Sequence, residues 1–259
     1  MPITVTLLQK AYGSFSPKMF QSAISSLCMG LEAEVKFKGK SGRQWVEVEV
    51  SGEDEAVALQ LLDREIGLAP VSFDKVKRFS ILRGRVVSPG KDDAKLVVDV
   101  GVLSPRVCDA AMSLQRLQAQ LTDGKKPALP SLIKLYCLVD HMPLHVKIVS
   151  KGDVEDELME AELSEYQMSQ FSAWIRSSLD RLIVLGAWLH DIERAVKVSG
   201  HGRDVIRIES LGLLEHAVVC KLGTDAVGLM PKLGPHMPIA LLAPFLPRKI
   251  RKIIDRPLL

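Results

Sequence analysis

The chain has 259 residues, of which 47% are hydrophobic, 25% charged and 5% aromatic, and its formal net charge is +3. This is the composition of ordinary globular domains, and it excludes a disordered chain, a coiled coil and a small disulfide-stapled protein. The length leaves room for two or three domains with hydrophobic cores of their own.

The segment that opens the sequence, MPITVTLLQKAYG, lacks the basic start and the long apolar stretch of a secretory signal. No window approaches the roughly 18 uninterrupted apolar residues that a membrane-spanning helix needs. The cysteines occur singly, which indicates neither a disulfide framework nor a zinc site. We therefore expect a cytoplasmic protein without a membrane partner.

The first segment, residues 1–77, has the pattern β-α-β-β-α. The predicted strands cover 3–8, 33–38 and 44–50. A helix is expected after Ser16-Pro17, which is typical of an N-cap followed by proline at the first helical position. A second helix is expected to end at Gly67. This order predicts a ferredoxin-like unit, which a strand over 79–87 would complete.

The middle segment, residues 78–150, has β texture. Two β runs flank a turn cluster at 88–93, and Gly84 and Gly101 allow the strong bending that strands of small barrels need. A short helix follows, and the run LIKLYCLVDHMPLHVKIVS predicts two further strands broken at 140–143. The pattern resembles an OB-fold barrel of the RNA-binding type, so we expect a small OB-like β-barrel with a helical insertion.

The last segment, residues 151–259, predicts a C-terminal α+β domain with antiparallel strands, which makes the whole chain α+β. Helices are expected over 163–179 and 188–196, and strands over 181–185, 204–209 and 216–222. Five prolines lie between 231 and 247. We expect this proline-rich basic tail to wrap the surface.

Basic residues cluster before and within the first barrel strand and again near the C-terminus, while an acidic run covers 153–165. Such clusters suit a phosphate-facing surface, although a solvated face explains each of them as well. In the loop 200–204, glycines beside a histidine and an arginine would let the backbone approach a phosphate. The candidate nucleic-acid-binding residues are Lys75, Lys77, Arg78, Arg83, Arg85, His201, Arg203, Arg248, Lys249, Arg251 and Lys252.

The sequence predicts no metal site. Cys137, His141 and His145 are spaced by four, and residues four apart on a strand lie roughly 13 Å from one another, too far to share a metal. The pair His190-Asp191 lacks further ligands on other helices. Both sets are more typical of structural or solvated positions, and any chemical role for them stays open.

Catalytic residues and cofactors are likewise not predicted. Cys220 and Lys221 stand before the turn at Gly223, and His216 is four strand residues away, too far to act directly as a base. The chain contains none of the common nucleotide-binding or hydrolase motifs. An enzyme is therefore less expected than a binding protein.

Three segments carry a resemblance to a known family: RGRVV at 83–87, VVDVGV at 97–102 and the glycine-rich stretch at 211–234. With them the chain resembles an uncharacterised archaeal family known only as a domain of unknown function. The resemblance implies an archaeal cytoplasmic protein of several domains, and it supplies no catalytic residues.

Three functions follow as hypotheses. The domain mixture favours a non-catalytic RNA- or ribonucleoprotein-binding protein of the translation or transcription machinery, because ferredoxin-like and OB-like modules are common RNA platforms. The low aromatic content predicts contacts to phosphates rather than base stacking. The alternatives are a protein-binding adaptor or assembly factor that docks through the tail and residues 241–246, and an enzyme acting on nucleic acid or nucleotides at the 200–204 loop or the Gly223 turn.

Overall fold

The computed structural model describes residues 2–152 and 158–254. It has the mixed α+β architecture expected from the sequence, with a closed five-stranded barrel in the middle and an antiparallel sheet at each end. The acidic residues at 153–157 lie outside the described part. Among the described residues, no helix combines the length and the apolar character that crossing a membrane requires.

The N-terminal part follows the predicted order of elements. It consists of β1 (Ile3–Lys10), α1 (Pro17–Leu27), β2 (Ala33–Lys40), β3 (Trp45–Gly52) and α2 (Glu55–Glu65). Its sheet has the order β1-β3-β2 with antiparallel neighbours. Both helices cover one face, where Phe20, Ile24 and Leu62 meet the alternate valines of β3 in a shared core. The strand expected over 79–87 does not complete this sheet, because it belongs to the barrel.

The central part begins with β4 (Val71–Ser72) and a 3₁₀ turn (Phe73–Lys75). The elements that follow are β5 (Ile81–Val87), β6 (Lys95–Ser104), β7 (Cys108–Ser113), α3 (Leu114–Leu121), α4 (Leu129–Tyr136), β8 (Pro143–Ser150) and β9 (Leu158–Leu163). The barrel closes in the order β6-β5-β8-β9-β7, with β7 returning to β6. The β7–β9 pair is parallel, and the other pairs of the ring are antiparallel. The fifth barrel strand, β9, thus lies beyond the boundary expected at residue 150.

One predicted strand is wrong. The apolar run from 132 to 137 lies largely in helix α4, whose residues Leu129, Leu132 and Tyr136 are fully buried at helical spacing. A short apolar run fits a buried strand and a buried helix equally well, so periodicity alone could not separate the two. Pro130 in the first turn favours the helix.

The C-terminal part forms a four-stranded antiparallel sheet. Its elements are α5 (Glu165–Ser177), β10 (Arg181–Leu185), α6 (Leu189–Val198), β11 (Val205–Ser210), β12 (Glu215–Cys220), α7 (Ala226–Leu233), a 3₁₀ turn (Gly234–His236), β13 (Leu241–Phe245) and α8 (Pro247–Ile254). The strand order is β11-β12-β10-β13. One face joins α5 and α8 in a core continuous with that of the barrel, and α6 and α7 cover the other.

The tail does not wrap the surface as expected. Residues 241–245 form β13, which pairs with β10 and buries Ala243 and Phe245 on alternate positions. Pro244 is tolerated there because β13 is an edge strand, where a missing N–H breaks no ladder on the outer side. The proline-rich segment is therefore an integral part of the sheet.

Candidate nucleic-acid-binding cleft

A cleft of about 580 Å³ lies where the three parts of the molecule meet. Its floor is the outer surface of β5 and β8, and its walls are the ends of β1 and α2, the first turns of α5 and the turn between β11 and β12. Ligand-binding pockets commonly have volumes of about 300–1,000 Å³ and form between domains. Its position between the three parts makes this cleft the candidate site.

Strand alternation directs two arginines to the cleft floor. Gly84 and Val86 of β5 are buried toward the barrel interior, so Arg83 and Arg85 lie on the outer face. In the register with β8, Arg83 is opposite His145, and Arg85 is opposite Pro143. The floor therefore carries two cationic side chains in one row.

Arg85 belongs to an ion pair that joins all three parts of the molecule. Its Nη2 donates to Glu215 Oε2 on β12 at 3.1 Å, and the Tyr12 hydroxyl of the N-terminal part donates to Glu215 Oε1 at 2.7 Å. Glu215 and Arg85 are 0% and 4% exposed. Burial and the Glu215 carboxylate raise the pKa of Tyr12, so its phenol stays protonated and remains a donor.

Gly212 makes this ion pair sterically feasible. A Cβ built at Gly212 would collide with the Glu215 carboxylate and would also crowd Arg85 Nη2. The glycine-rich stretch at 211–234 was expected to contain a backbone lying close to another group. Gly212 meets that expectation, because the turn between β11 and β12 presses its backbone against the ion pair.

The two arginines differ in what neutralises them. Glu215 offsets Arg85, but the Nε of Arg85 is buried without a partner. Arg83 reaches the backbone oxygen of Arg64 at 3.3 Å, and within the described residues it has no carboxylate partner. Arg64 itself pairs with Glu65 at 2.8 Å. Arg83 is thus the uncompensated cation of the cleft.

His145 and Tyr166 form one wall of the cleft. Gln167 is fully buried and accepts a hydrogen bond from the His145 backbone N–H, which fixes the start of α5 against β8. The His145 and Tyr166 rings meet edge to face at 4.6 Å. Burial, and then the charge of Arg83, lower the pKa of His145 to about 4. His145 is therefore neutral near pH 7, where it offers hydrogen bonds rather than charge.

The cluster expected before the first barrel strand extends the same outer face. Lys75, Lys77 and Arg78 are exposed. Arg78 Nε donates to the Val149 backbone oxygen, and its guanidinium lies 4.6 Å from the centre of the exposed Phe79 ring. The structure thus brings Arg78 and Arg83 to one side of the barrel, while Arg85 lies beneath them inside the interface.

The other candidate residues lie elsewhere. On α8, Arg248, Lys249 and Lys252 are exposed, and Arg251 donates to backbone oxygens at the end of α5. The first two of these residues line a separate cavity of about 260 Å³. In the 200–204 loop, His201 Nδ1 lies 2.7 Å from Asp204 Oδ2, and Arg203 is exposed. The expected basic set is therefore divided among three surfaces.

The residues considered for chemistry do not assemble into a centre. Cys137 ends α4, His141 stacks on Tyr12 at 4.0 Å, and His145 lines the cleft. Within residues 2–152 and 158–254, no three histidine, cysteine or acidic side chains are grouped as metal ligands. The His190 Nε2 lies 3.2 Å from Asp191 Oδ1, its neighbour on α6.

The buried cysteines are poor nucleophiles. Burial raises the pKa of Cys137 to about 12 and that of Cys220 to about 11. Because the thiolate is the reactive form, both side chains act as small apolar core residues at neutral pH.

Sequence reasoning missed Gln9, Arg64 and Tyr166, which line the cleft, and Glu215, which pairs with Arg85 beside it. Glu215 carried a usable signal, since an acid inside the apolar run LGLLEHAVV must find a partner when that run is buried. No sequence signal marked Tyr166, because its exposure depends on how α5 packs against β8.

Comparison with known families finds three models that match successive parts of the chain. The models of the N-terminal, central and C-terminal domains of DUF2110 match residues 4–70, 76–175 and 179–244. No curated protein matches the chain.

Proposed function

The chain belongs to the DUF2110 family, and we propose that it is a non-catalytic RNA- or ribonucleoprotein-binding protein that holds RNA phosphates in the cleft. One observation carries this proposal: Arg83 has no carboxylate partner among the described residues, and beside it Arg85 has an unpaired buried Nε. A phosphate oxygen in the cleft would accept charge-assisted hydrogen bonds from the Arg83 guanidinium, whereas the Arg85 Nε is enclosed beneath it.

The proposal extends to the type of barrel. Numbered along the chain, the barrel strands close in the order 1-2-3-5-4, with α3 and α4 between the third and fourth strands. We assign this topology to the OB type, whose usual ligand face is formed by strands 2 and 3. The N-terminal part is assigned as a ferredoxin-like unit without its fourth strand, since a single bridge between Leu7 and Leu68 is found at that edge of β1.

In this assignment the N-terminal part covers a portion of the usual ligand face, and a cavity of about 630 Å³ beside Arg43 and Asp109 occupies the remainder of its edge. On β6 and β7, Asp99 and Asp109 contact Arg43 of the N-terminal part. The surface that we assign to RNA is the opposite pair of strands, β5 and β8, which form the cleft floor. The phosphate-binding residues that we retain are Arg83 and Arg78, with Lys75 and Lys77 on the adjoining loop, while Arg85 lies beneath them in its ion pair with Glu215.

A binding role suits the cleft better than a catalytic one. A general acid or base works best with a pKa near the operating pH. Here the pKa of Tyr12 is raised and that of His145 is lowered to about 4, so both are shifted away from neutrality. Neither group would exchange protons readily at pH 7.

The alternatives find less support in the fold. An adaptor docking through residues 241–246 would have to use a strand whose Phe245 is fully buried. An enzyme centred on the 200–204 loop would need a free His201, and its imidazole contacts Asp204. A place in translation or transcription, and an archaeal source, remain proposals that rest on the domain mixture and the resemblance.

Binding of labelled single-stranded oligouridylate, followed by fluorescence anisotropy between about 50 and 200 mM salt, tests the proposal. Arg83→Gln is expected to weaken binding about tenfold at the lower salt and to reduce the slope of log K against log salt by about one. Arg194→Gln is the matched control, since Arg194 is exposed on α6 away from the cleft. Equal affinities for the wild type and both variants would contradict the proposal.

A further inference from the structure

We infer that the outer face of β5 and β8 binds neighbouring nucleotides of single-stranded RNA by stacking two bases, one on Tyr166 and one on Phe79, around a phosphate at Arg83. This inference rests on the proposed function and names how the same site recognises its ligand. It departs from the expectation, drawn from the low aromatic content, that binding would use phosphates alone.

The few aromatic residues of the chain are distributed unevenly. Within the described residues, Tyr166 and Phe79 are the aromatic side chains that are largely exposed, at 58% and 57%. Ile81, which lines the cleft floor, is 56% exposed. Large apolar side chains gathered on one exposed surface commonly mark a binding site.

The two rings lie next to successive outward-facing residues of β8. The outer-facing residues His145 and Lys147 are two positions apart on β8, which separates them by about 7 Å. Tyr166 contacts His145 at 4.6 Å, and Lys147 Nζ lies 5.8 Å from the Phe79 ring. Arg83 pairs opposite His145 in the register of the two strands. Tyr166 and Arg83 therefore lie at the level of His145, and Phe79 lies next to Lys147, the following outward-facing residue of β8.

The exposed Phe79 has a strained backbone conformation. Its φ is +67°, in the left-handed region that bulky residues rarely adopt. Its N–H donates to the Ile148 backbone oxygen at 2.7 Å, which holds this conformation. Strain of this kind is concentrated at binding and catalytic sites.

Two buried polar atoms of cleft residues lack a hydrogen-bond partner within the described residues. One of them is a donor and the other is an acceptor. Arg85 Nε needs an acceptor, and Gln9 Oε1 needs a donor. Gln9 is 1% exposed and its Nε2 donates to the Lys10 backbone oxygen, so only its oxygen is free. Both atoms are enclosed and make no direct contact with a ligand in the cleft, so the stacking inference rests on the exposed rings and on Arg83.

The test uses the full-length protein and labelled oligouridylate at low salt. Tyr166→Leu and Phe79→Leu are each expected to weaken binding about tenfold, because stacking on one aromatic side chain has an effect of this order. Tyr166→Phe retains the ring and is expected to bind within about twofold of the wild type. Tyr166 is largely exposed, and thermal melting verifies that each variant is folded.

An oligonucleotide with abasic sites completes the design. It is expected to bind the wild type more weakly than intact RNA binds Tyr166→Leu, because it loses both stacks, and only the Tyr166→Leu/Phe79→Leu double variant should fail to distinguish the two oligonucleotides. If Arg83→Gln weakens binding while neither leucine variant does, the stacking inference is overturned and the proposed function stands. If the wild type retains no oligonucleotide at low salt, the proposed function itself fails.

Discussion

Two outer faces of the barrel carry opposite charges, and they differ in whether the rest of the molecule covers them. The β6–β7 face carries the acids Asp99 and Asp109, and the N-terminal part fills it with cations. The β5–β8 face carries Arg83 and Arg85 and stays open as a cleft. On the first face, Lys10 and Arg43 neutralise the acids. On the second face, Arg83 has no carboxylate partner among the described residues.

Asp99 is a buried carboxylate whose charge is neutralised by the N-terminal part. It is 0% exposed, and its carboxylate contacts Lys10 Nζ at 2.7 Å and accepts from Trp45 Nε1 at 3.2 Å and the Gly101 N–H at 3.0 Å. Arg43 adds a contact at 3.4 Å and bridges to Asp109 at 2.6 Å. The Oδ2 atom is held by the charges of Lys10 and Arg43 rather than by a hydrogen bond, and the network fixes the position of the N-terminal part.

The largest effect is expected on the β6–β7 face. Asp99→Ala leaves the buried Lys10 without its counter-charge, so the free energy of unfolding should fall by about 3–5 kcal/mol. Urea unfolding measures the loss. Asp92→Ala, at an exposed pair with Lys95, should change stability by less than about 1 kcal/mol. A comparable loss in both variants would break the distinction between the faces.

Glu215→Gln sharpens the comparison on the open face. The amide keeps the shape of the side chain but removes the charge beside Arg85, so stability should fall by about 2–3 kcal/mol. At the same time, inorganic phosphate should bind more tightly because Arg85 has lost its internal counter-ion. Titration calorimetry measures the phosphate affinity, and weaker phosphate binding would contradict the assignment of Arg85.

Gly212→Ala tests how closely the turn between β11 and β12 fits the ion pair. The added methyl would displace the Glu215 carboxylate, with an expected loss of about 1–3 kcal/mol. Gly202→Ala is the matched control, since a Cβ there meets nothing within 4 Å. Thermal melting compares the two variants. An equal change in melting temperature would mean that the contact with Glu215 does not restrict the side chain at residue 212.

The smallest effect is expected in the pH dependence of stability. The pKa of His145 is about 4 in the folded protein against 6.5 for the free side chain, so the unfolded chain binds more protons between these values. This contribution is complete above pH 6.5 and is lost as the pH falls toward 4. In His145→Gln, the free energy of unfolding that is lost between pH 6.5 and pH 4 should be smaller than in the wild type by about 1 kcal/mol, after allowance for solvent screening. Unfolding curves across that range that keep the wild-type slope would disprove the assignment.

The two faces also differ in what sequence could predict. Arg83 and Arg85 look alike in the sequence, as alternate members of one strand. Their difference arises from Glu215, which lies 130 positions beyond Arg85 and meets it only through the packing of the C-terminal sheet. Local patterns gave the N-terminal elements and most barrel strands, because alternation and capping act over a few residues. They could not give the docking of the three parts that creates the cleft.

Photocrosslinking of the wild-type protein to single-stranded oligouridylate, followed by peptide mapping, tests the central claim most directly. Crosslinks are predicted on the peptides that contain Phe79 and Tyr166, on the open β5–β8 face. Crosslinks confined to residues 91–113, on the β6–β7 face, would contradict the account.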